Sequence, residues 1–125
     1  MLIILCFLGI IWLIYTGRIA ILNNNLLDAA SRGDISKVKE LLRTNVDVNA
    51  QDINGNTPLI LATIAGNVTI MQDLIMAGAN IYIKNKSGID ALRYAVSIYT
   101  NTAQNEEVVK LLIKEYKQNE KNISY

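Results

Sequence analysis

The sequence predicts an all-α protein, a solenoid of stacked helix pairs with short turn or hairpin connections, preceded by an N-terminal hydrophobic helix. Three observations carry this. Apolar, Gly and Ala positions recur every 33 residues beyond Asn23. Leu2–Tyr15 (LIILCFLGIIWLIY) contains no charged residue. Asp52–Asn67 (DINGNTPLILATIAGN) reads as a turn, a short capped helix and a stop.

The first element is the apolar run. Its 14 residues reach about 21 Å as a helix, short of a bilayer core of about 30 Å. Continuing through Thr16, Gly17, Arg18 and on to Leu22 gives a sufficient span, with Arg18 near one end able to snorkel to headgroups. A cleaved signal fits less well: cuts after Gly17 or Ala20 put Tyr15 or Arg18 where a small residue belongs. Residues 1–22 are therefore expected to be a single-pass membrane segment. Arg18 follows the run, which places the rest on the cytoplasmic side. The alternative is an exported binding protein whose segment is removed. From Asn23 onward the composition is that of an ordinary soluble domain. Net charge is +1, so no general attraction to nucleic acid or to an acidic membrane is expected.

The repeat supplies the remaining elements. Leu26, Leu59 and Leu92 are spaced by 33 residues, as are Ala29, Ala62 and Ala95. Gly33 matches Gly66, Leu41-Leu42 matches Leu74-Ile75, and Gly55 matches Gly88. A fixed period in this range means stacked units, each burying the face its neighbour cannot. Within the middle unit, Thr57 is placed to cap a helix, and Pro58, the single proline, suits its first position. Gly66 is placed to end it. Asp90 takes the capping place of Thr57 in the third unit.

The middle unit, DINGNTPLILATIAGNVTIMQDLIMAGANIYIKN, resembles an ankyrin repeat. It carries Asp-x-x-Gly-x-Thr-Pro-Leu, the Ala and Gly that follow, a Leu-Ile pair and a Gly-Ala-Asn-Ile exit. It departs from the family at Ile60 and Asn67, where histidines are usual, and at Thr63, where a second alanine is usual. The resemblance covers residues 23–125 as three units, about 23–51, 52–84 and 85–125. About four extra residues separate the helices of the third unit near Tyr99–Asn105. Its last helix sets Val108, Leu111, Leu112 and Tyr116 on one face and Lys110, Lys114, Lys117 and Lys121 on another, the profile of a terminal cap. That lysine stripe reads as a solvated face; anionic lipid or nucleic acid is the alternative.

No catalytic or metal site is expected. Clusters of metal ligands and activated nucleophiles draw on His or Cys; the chain has no His, and its one Cys, Cys6, lies in the apolar run. Asp28, Asp34, Asp47 and Asp52 are assigned to helix starts or turns, and Glu106-Glu107 to the positive end of the last helix. No cofactor and no small-molecule substrate are expected, and the chain is read as a non-enzyme. Asn67, Asn85 and Asn122 begin Asn-x-Ser/Thr strings, read as accidents of an Asn-rich chain. The resemblance implies recognition of another protein by turn tips and first-helix faces. Carried over residue by residue, the tips offer Ile53, Asn54 and Asn56, then Lys86, Ser87 and Ile89. The first-helix surface offers Ser31 and Arg32, Ile64 and Ala65, and Ser97 and Ile98.

Overall fold

Thr57 accepts a hydrogen bond from the Ile60 amide at 3.2 Å, and Pro58 occupies the first turn behind it. The short helix so begun ends at Ile64, with Gly66 in the left-handed region at φ 68°. The computed structural model describes residues 1–98 and 103–123, which form six helices and no strand. They are α1 (Leu2–Arg32), α2 (Ile35–Leu41), α3 (Pro58–Ile64), α4 (Val68–Met76), α5 (Ala91–Ile98) and α6 (Ala103–Ile123). The insertion expected near Tyr99–Asn105 falls across positions outside the described residues.

Capping repeats with the period. Asp34 accepts from the Lys37 amide to start α2, Asn67 from Ile70 to start α4, and Asp90 from Arg93 to start α5. α1, α3 and α5 pack side by side as one layer; α2 and α4 form the second, each behind its own first helix, and α6 packs on α5. The core lies between the layers. Leu26 and Leu59 are fully buried, as are Ala62 and Ala95, with Val38, Met71 and Leu74 facing them from the second helices. Val108 and Leu112 close the core from α6, with Leu111 and Tyr116 half-buried beside them. Lys110, Lys114, Lys117 and Lys121 are exposed, so the two faces of α6 separate as expected.

The N-terminal element differs from expectation. The sequence suggests a gap between the apolar segment ending at Leu22 and a first repeat helix near Leu26. Instead α1 is one unbroken helix of 31 residues, about 46 Å long. Asn23, in the expected gap, is held by tertiary contact: its side chain accepts the Asp47 amide at 2.8 Å. Asp28 is consequently mid-helix rather than at a helix start, and pairs with Arg32 one turn on at 2.9 Å.

Candidate functional site

The turns between units are built from the same hydrogen bonds, one period apart. Asp52 accepts the amides of Asn54 and Asn56, each at 2.8 Å. Asn85 accepts those of Ser87 and Ile89, each at 3.0 Å. One short side chain thereby folds each tip, which frees neighbouring side chains to point outward. Adjacent tips are zipped together: the Lys86 amide donates to the Asn54 carbonyl at 3.0 Å. Gln51 bridges the Gly55 carbonyl at 2.7 Å and the Lys84 carbonyl at 3.4 Å. Gly55 is required twice over. Its φ is +79°, and a Cβ there would sit 2.9 Å from the Lys86 backbone nitrogen.

At the tips, Ile53 is 84 % exposed, Asn54, Lys86 and Ser87 are exposed, and Ile89 is half-buried. Asn56 is a correction. Expected at the contact surface, it is only 8 % exposed, because its amide group bonds to Asp52 and accepts from the Asn85 side chain at 2.9 Å. Asn85 also reaches the Tyr94 hydroxyl at 3.3 Å. The Asn56–Asn85 pair is thus a buried polar joint between units, where satisfied partners offset the cost of burial. Its side-chain nitrogen engaged, Asn85 is a poor glycan acceptor, and Asn67 is engaged as a helix cap.

The first-helix candidates lie at the other end of the stack. Ser31, Arg32, Ile64, Ala65 and Ser97 are all exposed at or just past the C-terminal turns of α1, α3 and α5. The side chain of Ile98 lies outside the described residues. Tips and first-helix ends are therefore opposite edges of one layer, separated by the length of α3, about 10 Å. A shallow recess of about 470 Å³ adjoins Ala65, lined by Ile35, Gly66, Asn67, Gln72 and Glu107.

Sequence reasoning overlooked a further patch. Leu27 and Ala30 of α1 are buried, as are Ile60 and Thr63 of α3, one period on. The next positions in that series, Arg93 and Val96, are exposed. With Leu92 and Ser97 they line a depression of about 410 Å³ on α5. In α1 and α3 these positions are covered by the following first helix; on α5 they stand open. The change from Ile60 to Arg93 was a readable signal.

Electrostatics at the site are mild. Tyr116 lies beside the Asp90 carboxylate, and its ring meets Tyr82 edge-on at 4.6 Å. Burial first, then the adjacent Asp90 carboxylate, pushes the phenol up to about 12. Glu106 pairs with Lys110 one turn on, which holds its carboxyl below the usual range. Among the described residues no three His, Cys, Asp or Glu side chains group as a metal site would require.

The family model for ankyrin repeats, in three copies, matches residues 26–123. This chain belongs to the ankyrin-repeat family. Phosphocholine transferase AnkX of Legionella pneumophila is 33 % identical over 88 residues, covering 70 % of this chain and 9 % of that protein. Protein lin-12 of Caenorhabditis elegans is 40 % identical over 63 residues, covering 50 % of this chain and 4 % of its own length. The putative ankyrin repeat protein YahD of Escherichia coli is 45 % identical over 53 residues, 42 % of this chain and 26 % of the relative. The chain thus spans about a quarter or less of these relatives' lengths, and what is shared is the ankyrin stack. Ankyrin repeats are protein–protein interaction modules. In this one the first repeat helix, α1, is as a whole long and apolar enough to cross a membrane, and none of its apolar window is buried.

Proposed function

We propose that the chain is a membrane-tethered ankyrin adaptor, which holds a protein partner on the exposed ends of its first helices. The observation that carries this is the single helix α1. Its residues Leu2–Ile14 are apolar and uncovered, while Leu26, Leu27, Ala29 and Ala30 build the first repeat. A water-exposed apolar rod of that length is costly, and lipid removes the cost. Cleavage after Gly17 or Ala20 would strip away Thr16 or both Thr16 and Ile19, residues half-covered on the first repeat side. That favours a retained segment over an exported module. Arg18 behind the apolar run favours repeats on the cytoplasmic side.

The partner surface is the edge bearing Arg32, Ile64, Ala65 and Ser97, continued by Val96 and then Arg93 along the open face of α5, apolar at its centre with arginines at its limits. Aromatic or aliphatic anchors seated on Ile64 and Val96 would supply most of the binding energy. A photo-crosslinking side chain placed at Ile64 in the membrane-bound full chain is expected to give one discrete protein adduct. The same group at Gln118, exposed on α6, is expected to give none. Ile64→Asp should abolish the adduct formed from Ser97 while leaving the thermal melt unchanged. Equal adducts at Ile64 and Gln118 would contradict the assignment.

A further inference from the structure

The two ends of the stack differ in where α1 leaves it. The apolar half of α1 departs from the tip end. Asn45, in the turn after α2, donates to the Tyr15 hydroxyl at 3.4 Å, and the Asp47 amide bonds to Asn23. The linked turns continue that edge: the Asn80 amide bonds to Asn49 at 2.7 Å and the Lys86 amide to Asn54, and the Tyr116 ring of α6 meets Tyr82 beyond them. Gly33, Asn67 and Glu107 mark the opposite end. A continuous helix has no hinge, so seating Leu2–Tyr15 in a bilayer also fixes which end of the stack faces it.

The distance is short. The repeats first reach α1 at Tyr15, through Asn45, and the bare Leu2–Ile14 is about 20 Å long against a hydrocarbon core of about 30 Å. Such a mismatch is relieved by local thinning and by drawing flanking residues to the interface. The tip end is therefore pulled into the headgroup layer rather than held clear of it. Its surface suits that place. Ile53 and Met76 are 84 % and 86 % exposed, and both lie at this end, on a tip and at the C-terminus of α4. Around them Lys84, Lys86, Lys117 and Lys121 are exposed. Residues beyond Tyr116 carry α6 past the level of Asp90, toward the same side. The acidic groups here keep their charge but are tied to the fold: Asp52 and Asp47 accept backbone amides of their own turns, and Asp90, buried, caps α5. Glu115 and Glu120 remain interleaved with the lysines.

We infer that the turn-tip end of the stack is a lipid-binding face, laid on the anionic phospholipid headgroups of the same bilayer that holds α1. Ile53 and Met76 enter the interface, and Lys84, Lys86, Lys117 and Lys121 meet phosphates and carboxylates. This rests on the membrane-spanning reading of α1. It turns the tether into a fixed mount: the tips are consumed by lipid, and the opposite edge, at Ile64 and Ser97, is presented to the partner. Each basic residue near an anionic surface is worth about a fivefold gain in partition, so the four lysines act together.

The test uses the full chain in vesicles of phosphatidylcholine with one quarter phosphatidylserine. In a Cys6→Ala background, a small fluorophore is attached to a cysteine replacing Leu8, Ile53 or Ser31 in turn. Quenching is read with nitroxides on lipid headgroups or on acyl chains. The expected result is acyl-chain quenching at position 8, headgroup quenching at position 53 several-fold above that at 31, and loss of that difference without phosphatidylserine. Lys84→Glu with Lys86→Glu should also lower quenching at 53 while position 8 is unchanged. Equal quenching at 53 and 31, with position 8 still quenched by acyl chains, would overturn the lipid face alone and return the tips to a protein partner. Quenching at 53 indifferent to phosphatidylserine and to charge reversal would overturn headgroup recognition. Absence of acyl-chain quenching at position 8 would remove the spanning helix and this inference with it.

Discussion

Leu8 and Leu26 belong to the same helix, yet Leu8 is 57 % exposed and Leu26 is 0 % exposed. Nothing in the local backbone separates them; α1 runs through both without a break. What differs is the neighbour. Leu26 is one of three leucines set by the repeat period and meets α2 and α3. Leu8 belongs to a stretch apolar on every side, which no single protein face can cover. Composition made both look alike. Only periodicity told them apart.

The largest effect that would break this comparison is truncation of the two leucines. Leu26→Ala is expected to cost about 2–5 kcal/mol, because it leaves a cavity in the core. Leu8→Ala should stay within about 0.5 kcal/mol of the parent. Urea midpoints of the full chain in mild detergent check this, and equal shifts would mean that α1 is packed alike along its length. Leu59→Ala against Ile53→Ala repeats the test within one unit, core against tip.

Next is the joint between tips. Gly55→Ala must place a side chain at φ +79° and 2.9 Å from the Lys86 nitrogen. A loss of about 1–3 kcal/mol is expected. Gly78→Ala, at φ +90° with nothing near its Cβ position, should lose less. Equal losses would show that backbone strain alone matters and that the tips are not tightly zipped.

The smallest effect is pH-dependent. Tyr116 titrates at about 12 in the fold and near 10 when unfolded. The folded state thus binds the proton more tightly, and stability falls as pH rises from 10 toward 12. Its contribution is fully present below pH 10. Melting temperatures of the parent should drop more steeply across that interval than those of Tyr116→Phe. Parallel curves would mean that neither its burial nor the adjacent Asp90 holds the Tyr116 proton in the fold.

The fold was legible because a 33-residue period constrains many positions at once, and each error in register would have exposed several leucines and alanines. Helix starts were legible because Thr57, Pro58, Asp34 and Asp90 act locally. Long-range partners were not. The Asn23–Asn25 run looks like a linker, since asparagine is a weak helix former, yet the Asp47 amide holds Asn23 in the helix. Asn56 looks like a surface residue, and only its meeting with Asn85, 29 positions on, makes it part of the interior. The open α5 patch at Arg93 and Val96 was missed because the family's variable positions were carried over without comparing buried positions between units.

Whether one helix serves as both bilayer span and first repeat helix is tested most directly by the native chain itself. Cys6 is its single cysteine, exposed on the bare half of α1. In intact membranes it should resist a membrane-impermeant maleimide, then react fully once detergent is added, while the repeats on the accessible side remain folded. Ready labelling of Cys6 in intact membranes, or recovery of the unreacted full chain in the soluble fraction, would contradict the account.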